Sequence, residues 1–331
     1  MTGLWVEPDV RDSVVQYVEA MTARSTVSMR QLVRWLGVTR SKFYTWGVRS
    51  GVPNRHNGGI PRGHWILPHE RDAIIAYCRL QTGLGYRRLT YMMLDADVAA
   101  VSPATTYRVL KAAGMLCRWI PKNASCKGTG FEQPLAPHQH WHTDIMYVNI
   151  QGAIFFLICV LDGFSRMILH HELRVSMTEY DVEICVERAR EKYPDAHPRV
   201  ISDNGSQFTS RDFREFITVA GLTHVRTSIN YPQSNGKQER FHKTLRVEAI
   251  RKQAYLSIED ARRQIAEYIE HYNNTRLHSA LNFIAPRDVL EGRQKIIIKE
   301  RQIKLDVARL KRIEYCQALS QTNNRQLSIS G

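Results

Sequence analysis

The stretch Val200-Ile201-Ser202-Asp203-Asn204-Gly205, read with Tyr231-Pro232-Gln233-Ser234-Asn235-Gly236-Lys237-Gln238-Glu239, decides how this chain is built. The first run is a short apolar strand pattern that delivers Asp203 into an Asn-Gly break. The second is a breaker-rich loop entering a helix that carries Glu239, with 35 residues between the two carboxylates. Upstream, His142-Thr143-Asp144-Ile145-Met146-Tyr147-Val148 puts a third carboxylate at the head of another strand-like run. Asp144, Asp203 and Glu239, delivered by two strand edges and a helix start, could together hold a pair of hard divalent cations as metal ligands. Mg²⁺ favours one or two carboxylates completed by water and substrate phosphates. Two such ions (Mg²⁺ or Mn²⁺) about 3.5–4 Å apart can activate a water or hydroxyl and stabilise the leaving oxygen of a phosphoryl displacement.

Outward from these residues the periodicity predicts strands at 142–150, 153–162 and 165–174, then a helix over 178–192. The Asp203 strand, a helix over 210–220, a strand over 224–227, and helices from Glu239 to about Lys252 and over 257–273 follow. Three meander strands followed by alternating helix and strand imply an α/β fold, an RNase H-like mixed sheet with helices on both faces.

The triad and its spacing resemble those of retroviral integrases and bacterial insertion-sequence transposases with a DDE catalytic core. The resemblance covers roughly Trp141 to Gly292, and its most specific patches are Tyr231 to Gly236 and Tyr272-Asn273-Asn274-Thr275-Arg276-Leu277-His278. It implies that Tyr231, Gln233 and Asn235 belong to a flexible active-site loop that contacts the DNA end. It also implies that Arg246, seven positions after the Glu, grips that end, and that Ser206 and Gln207 lie in a target-DNA contact region. Met146 departs from relatives that carry a polar residue after Asp-Ile, with no catalytic group at stake.

Charge distribution points to the same partner. The formal net charge is +14, yet residues 136–290 carry 19 Lys and Arg against 19 Asp and Glu. Residues 1–135 carry 18 against 9 and residues 291–331 carry 9 against 4, so the excess sits on the flanks of a neutral body, as arms on a polyanion would require. In the N-terminal flank, a helix over 9–24 precedes Ser28 to Trp46, where a helix stops at Gly37 and Thr39 or Ser41 caps a second. That is a helix-turn-helix pattern with Arg40, Ser41, Lys42 and Tyr44 at the start of the reading helix, against the plainer view of a packing hairpin. A helix over 68–82 and a second such pattern follow, with Ser102 as N-cap, Pro103 at the first helical position, and Thr105, Thr106 and Arg108 as candidate DNA contacts. This second module resembles the helical domain ahead of such cores and reads DNA or serves dimerisation.

Five segments are expected: a helix-turn-helix domain over 1–51, a linker and second helix-turn-helix domain over 52–122, a linker over 123–137, the catalytic core over 138–292, and a basic helix and mobile tail over 293–331. Six scattered cysteines without a CxxC pair argue against a zinc site or a disulfide framework. No apolar run reaches the ~20 residues of a membrane helix, and the N-terminus lacks a signal-peptide pattern. A cytoplasmic, nucleoid-associated bacterial protein is therefore expected.

Several residues keep two readings. Lys243 lies on the Glu239 face as a DNA contact or as its i,i+4 partner. Ser206 belongs to a target contact or an N-capping loop, and Arg276 and His278 support the site or pack a helix. His140 and His142 are read as structural. The function expected is a DNA transposase that binds element ends, cleaves them with metal ions and joins their 3′-hydroxyls to target DNA, working as a homo-multimer. The rivals are an inactive DNA-binding regulator and an RNase H-like nuclease without strand transfer.

Overall fold

The computed structural model describes residue 6 and residues 8–52, 65–116, 133–227, 236–252 and 254–329. The chain divides into two compact units, Met1–Trp65 with Cys316–Gly331, and Ile66–Tyr315.

In the first unit α1 (Pro8–Arg24), α2 (Met29–Trp35) and α3 (Arg40–Val48) pack around Val18, Leu32, Val33, Phe43 and Trp46. Gly37, at φ +66°, turns the chain out of α2 where a Cβ would be strained. The Thr39 hydroxyl then accepts from the Lys42 amide at 3.4 Å, so of the two caps the sequence offers, Thr39 and Ser41, Thr39 starts α3.

The second unit begins with α4 (Pro68–Leu80), α5 (Tyr86–Asp95) and α6 (Pro103–Ala112) around Ile74, Leu89, Met93 and Leu110. Ser102 caps α6 by accepting from the Thr105 amide, with Pro103 at the first position.

The sheet follows: β1 (His140–Ile150), β2 (Ala153–Asp162), β3 (Ile168–Arg174), β4 (Arg199–Ser202) and β5 (Thr223–Arg226), in spatial order β3-β2-β1-β4-β5. β1, β2 and β3 form the antiparallel meander, whereas β4 pairs parallel to β1 and β5 parallel to β4. Parallel neighbours need crossovers, and these are α7 (Glu179–Lys192), then α8 (Ser206–Thr209) with α9 (Arg211–Val219). A reciprocal box between Thr178 and Asp181 starts α7.

Burial of β2 from Leu157 to Asp162 on both sides fixes the layering. One face packs on Val182, Val186, Phe213 and Ile217 of α7 and α9. The other packs on Phe241 and Leu245 of α10 (Gly236–Glu248) and Ile265, Ile269 and Tyr272 of α11 (Ile258–Asn274). Each such fully buried side chain is worth about 1.5–3 kcal/mol, so register errors in the sheet are strongly penalised. This is the RNase H-like α/β arrangement anticipated.

Some boundaries move. β3 starts at Ile168 rather than 165, because Asp162 to Arg166 forms a tight turn closed by the Ser165 amide and hydroxyl on the Asp162 carboxylate, both at 2.7 Å. α10 ends at Glu248, with a separate 3-10 turn over Ile250–Lys252. After α12 (Pro286–Leu290), α13 runs unbroken over Gln294–Ile329, so the tail expected to be mobile from Gln321 continues the helix, where no Gly or Pro interrupts it. Arg301 of α13 clasps Asp95 through contacts of 2.8 and 2.6 Å, and Arg312 clasps Glu70. Among the described residues no helix is long and apolar enough to cross a membrane.

Candidate active site at the carboxyl edge of the sheet

Parallel pairing places His142 of β1 beside Ile201 of β4. Two residues further along each chain stand Asp144 and Asp203, so equal rise carries both carboxylates to the same edge. Asp203 is the first residue beyond β4, free of the ladder. Asp144 lies mid-strand rather than at a strand head, because β1 starts at His140 and stays paired to β2 throughout, Asp144 opposite Cys159.

The loop after β4 is pinned at each residue. The Ser202 hydroxyl donates to the Asp203 carbonyl at 2.9 Å, and Asn204 Nδ2 donates to the Thr227 carbonyl at 2.7 Å. The Gly205 amide donates to Asp203 Oδ1 at 3.0 Å. A Cβ on Gly205 would stand 2.8 Å from Gln207 Oε1 and 3.1 Å from Asp203 Oδ1, so a side chain here would press on both groups.

The third carboxylate arrives on α10, whose first turn is fastened on two sides. Gln238, fully buried, donates to the carbonyl of Cys159, the cross-strand partner of Asp144, at 3.2 Å. Lys237 donates to the Gly163 carbonyl at 2.9 Å. Glu239 follows directly and is exposed on the same edge.

Burial, then Asp203 and more weakly Glu239, push the Asp144 carboxyl up to about 7, against a lowering hydrogen bond from its Ile145 amide. His242, three residues after Glu239, puts Nδ1 3.6 Å from Asp144 Oδ2. Burial, reinforced by Arg246, holds that imidazole down to about 4, so at neutral pH it is uncharged and the contact is not an ion pair. The edge therefore gathers negative charge without a protein cation at Asp144. Among the described residues no three His, Cys, Asp or Glu side chains already close on a common point, and Glu239 faces solvent in this conformation.

His142 is fully buried, and its ring, pushed down to about 3 by burial and then Lys237, packs under the site as a neutral group beside Gly163. Buried His140 gives its carbonyl to the Gly163 amide at 2.7 Å.

Residues 134–232 match a family model described as Integrase core domain, and residues 220–286 match a second of the same description. An uncharacterized protein of insertion element IS136 from Agrobacterium fabrum is 35% identical over 161 residues, 46% of this chain and 83% of that protein. The chain belongs to the insertion-sequence transposases. It is a DDE-type polynucleotidyl transferase acting on DNA. The transposase for insertion sequence element IS904 from Lactococcus lactis is 28% identical over 182 residues, 52% of this chain and 72% of that one. A chain of the simian T-cell lymphotropic virus intasome superposes with a TM-score of 0.44 at 16% identity, over 66% of this chain and 74% of its own.

In this transposase the remaining candidate residues divide. Lys243 and Arg246 are exposed on the Glu239 side of α10, and among the described residues Lys243 forms no ion pair with Glu239. Ser206, exposed, opens α8 next to half-buried Gln207. Tyr231, Gln233 and Asn235 lie outside the described residues. Arg276 is turned away to Glu248, gripping both its oxygens at 2.7 Å, so it packs α10 from the far end. His278 accepts from the Ala280 amide at 3.3 Å within its own turn.

The N-terminal helices hold one correction. On α3, Arg40, Ser41 and Tyr44 are exposed, with Arg40 over the Tyr44 ring at 5.7 Å, while half-buried Lys42 leans on Trp46. On α6, Arg108 is exposed and Thr105 half-buried. Thr106, expected among the DNA contacts, is fully buried and bonded to Thr90 at 2.8 Å. Its place is set by helical spacing to Val109 and Leu110, which puts it on the apolar face. Sequence reasoning missed Gln238, Gly205 and Lys237. All three stood inside the two quoted stretches, but a motif does not name the contacts they make.

Proposed function

We propose that this transposase binds the two ends of a mobile element, hydrolyses a phosphodiester at each, and joins the freed 3′-hydroxyls to target DNA on the bacterial nucleoid. Asp144, Asp203 and Glu239 would hold two divalent cations, Mg²⁺ or Mn²⁺. The observation that carries this reading is the parallel register that brings Asp144 beside Asp203, with Glu239 fastened next to them through Gln238 and Cys159. The donor set fits: all three groups offer hard oxygens, and the Asp144 carboxyl, raised first by burial and then by Asp203, is an acid whose ionised form a cation stabilises. When bound, such ions would supply an activated water or hydroxyl and charge neutralisation at the leaving oxygen.

The chain's own residues supply positioning. Neutral His242 fills the space under Asp144 and keeps that carboxylate turned to the edge. The Gly205 amide orients Asp203. Lys243 and Arg246 offer cations to the DNA strand next to Glu239, Arg246 with a fork suited to bidentate contact with phosphate. Two ends joined to one target require a homo-multimer.

Asp144→Asn, Asp203→Asn and Glu239→Gln, assayed on an end-containing duplex with Mg²⁺, test the assignment. Each should lower strand cleavage and strand transfer by more than about a hundredfold while end binding persists. Turnover near that of the unmodified enzyme in any of the three would overturn it. Cleavage without joining would leave the nuclease reading, and binding without cleavage by the unmodified chain the regulator reading.

A further inference from the structure

The α10 helix carries a second charged flank that the carboxylate site does not use. At about 100° per residue, Glu239, Lys243 and Arg246 run along one side of the buried Phe241–Leu245 stripe. Lys237, Arg240 and Glu248 run along the other. The outward surface of the helix lies between these flanks. Lys237 is tied to the turn between β2 and β3 through Gly163, and Arg166 springs from that turn at φ +64°. Asn273 clamps the end of that turn by exchanging two hydrogen bonds of 2.9 Å with Ile168, and Arg166 lies within electrostatic reach of Tyr272. Among the described residues the Arg166 guanidinium makes no hydrogen bond or ion pair.

Positive charge is in excess here. Glu248 is taken by Arg276 and, at 3.7 Å, by Arg88 of α5. Buried Asp162 is taken by Ser165 and the His138 amide. Among the described residues Asp162 is the one carboxylic acid whose charge reaches Lys237 and Arg166, so three cations, with exposed Arg240, share a single buried carboxylate. The neutral His278 ring nearby is held down to about 4, first by burial and then by Arg276, Arg166, Arg88 and Arg240. Gathering like charges is costly unless an anion joins them.

We infer that Arg166, Lys237 and Arg240 form a phosphate-binding strip for the duplex of the element's end, leading from the catalytic edge toward Arg88 and the α5–α6 module. The inference rests on the transposase reading of the site. DNA on this strip crosses the outward face of α10, with one strand near Arg246 and the other near Arg240. Arg88, on the same module as Arg108, makes end DNA rather than target DNA the occupant.

The test uses full-length protein with Ca²⁺ in place of Mg²⁺ and a pre-cleaved end duplex followed by fluorescence anisotropy over a salt series. Arg240→Gln and Arg166→Gln should each weaken end binding about three- to tenfold and flatten the log K against log salt slope by about 1. Arg240→Lys should retain most of the affinity. Arg240 is exposed, so its variants report without a folding defect, and thermal melting checks Arg166→Gln. Unchanged affinity and slope for Arg240→Gln would overturn the inference and leave these side chains as packing around Tyr272. Normal end binding with loss only of unrelated target duplex would overturn it in favour of a target strip. Failure of the transposase reading shows separately, as absence of metal-dependent cleavage by the unmodified enzyme.

Discussion

Arg276 holds Glu248 through two hydrogen bonds of 2.7 Å, and this clasp secures α10 at the end opposite Glu239. The guanidinium is almost wholly buried and also covers the Tyr272 ring at 5.5 Å, so removing it strips packing as well as charge. Glu248, held down to about 2 against its burial by Arg276 foremost, would keep only Tyr268 and the longer contact to Arg88.

Arg276→Ala should destabilise the enzyme by about 2–4 kcal/mol, the low end favoured because Glu248 keeps some solvent contact. That corresponds to a fall of roughly 5–12 °C in melting temperature for a unit of this size. Arg276→Lys should recover little, since one ammonium cannot reproduce the fork. Calorimetry of the two variants decides; an unchanged melting point would deny the clasp its role.

Asp144 sets a pH dependence of stability. Its carboxyl titrates near 7 in the fold against an ordinary value of 3.8, so the folded chain binds the extra proton between those limits. This contribution is fully present below about pH 4 and is lost as pH rises through about 7. With divalent ions chelated, the melting temperature of the parent should therefore fall over this window relative to Asp144→Asn. Mg²⁺ should reverse part of the fall by binding the ionised site. Parallel melting curves for the two proteins across the window would contradict the crowding described.

Gly205→Ala probes the bare backbone beside Asp203. The added methyl meets the movable end of Gln207 and also Asp203 Oδ1, which must give by a few tenths of an ångström. Cleavage should fall about tenfold, since small misplacements of catalytic groups are costly. Stability should change by less than about 1 kcal/mol, because the glycine has negative φ. Full activity would show that the carboxylate tolerates displacement.

For the reader helices, point substitutions are sharper than deletion. Removing residues 1–120 would orphan the buried guanidinium groups of Arg301 and Arg312, whose partners are Asp95 and Glu70, and so would unsettle the core as well as end recognition. Arg40→Ala and Arg108→Ala, both at exposed positions, should each cost about 1–3 kcal/mol if they contact bases and show this only on the cognate end. A loss equal on all sequences would mean phosphate contacts instead. Thr106→Val should alter stability, not recognition, because that hydroxyl serves Thr90.

Much of this was legible from the chain because the informative signals are local. Alternating apolar strands, the Asn-Gly break after Asp203, and the caps at Thr39 and Ser102 depend on neighbours a few residues away. Motif and spacing singled out the three carboxylates, and the pairing of β1 with β4 carries Asp144 and Asp203 to one edge. What stayed hidden depends on contacts between distant segments. Gln238 reaches Cys159, and Asn273 bonds Ile168 across more than a hundred residues, with no periodic signature at either end. Thr106 was misplaced because an N-terminal helical position was read as outward, although its i+3 and i+4 neighbours, Val109 and Leu110, mark the inner face. Arg276 was left open between two roles because a motif names a residue but not the direction its side chain takes.

The order in which the pieces of the site occur along the chain has a consequence for its synthesis. Asp144 lies on a hairpin that pairs locally, Asp203 needs a crossover before β4 can join, and Glu239 comes on a helix whose far end is held by Arg276, later still. Domains form as the chain emerges, N-terminal parts first. The N-terminal helices emerge first, yet Cys316–Gly331 belongs to the same compact unit as α1–α3, and Arg301 and Arg312 of α13 hold Asp95 and Glu70, so each helical module lacks partners until α13 is made. All three carboxylates are therefore synthesised before either flanking helical module can be completed, and the last helix of the chain finishes both.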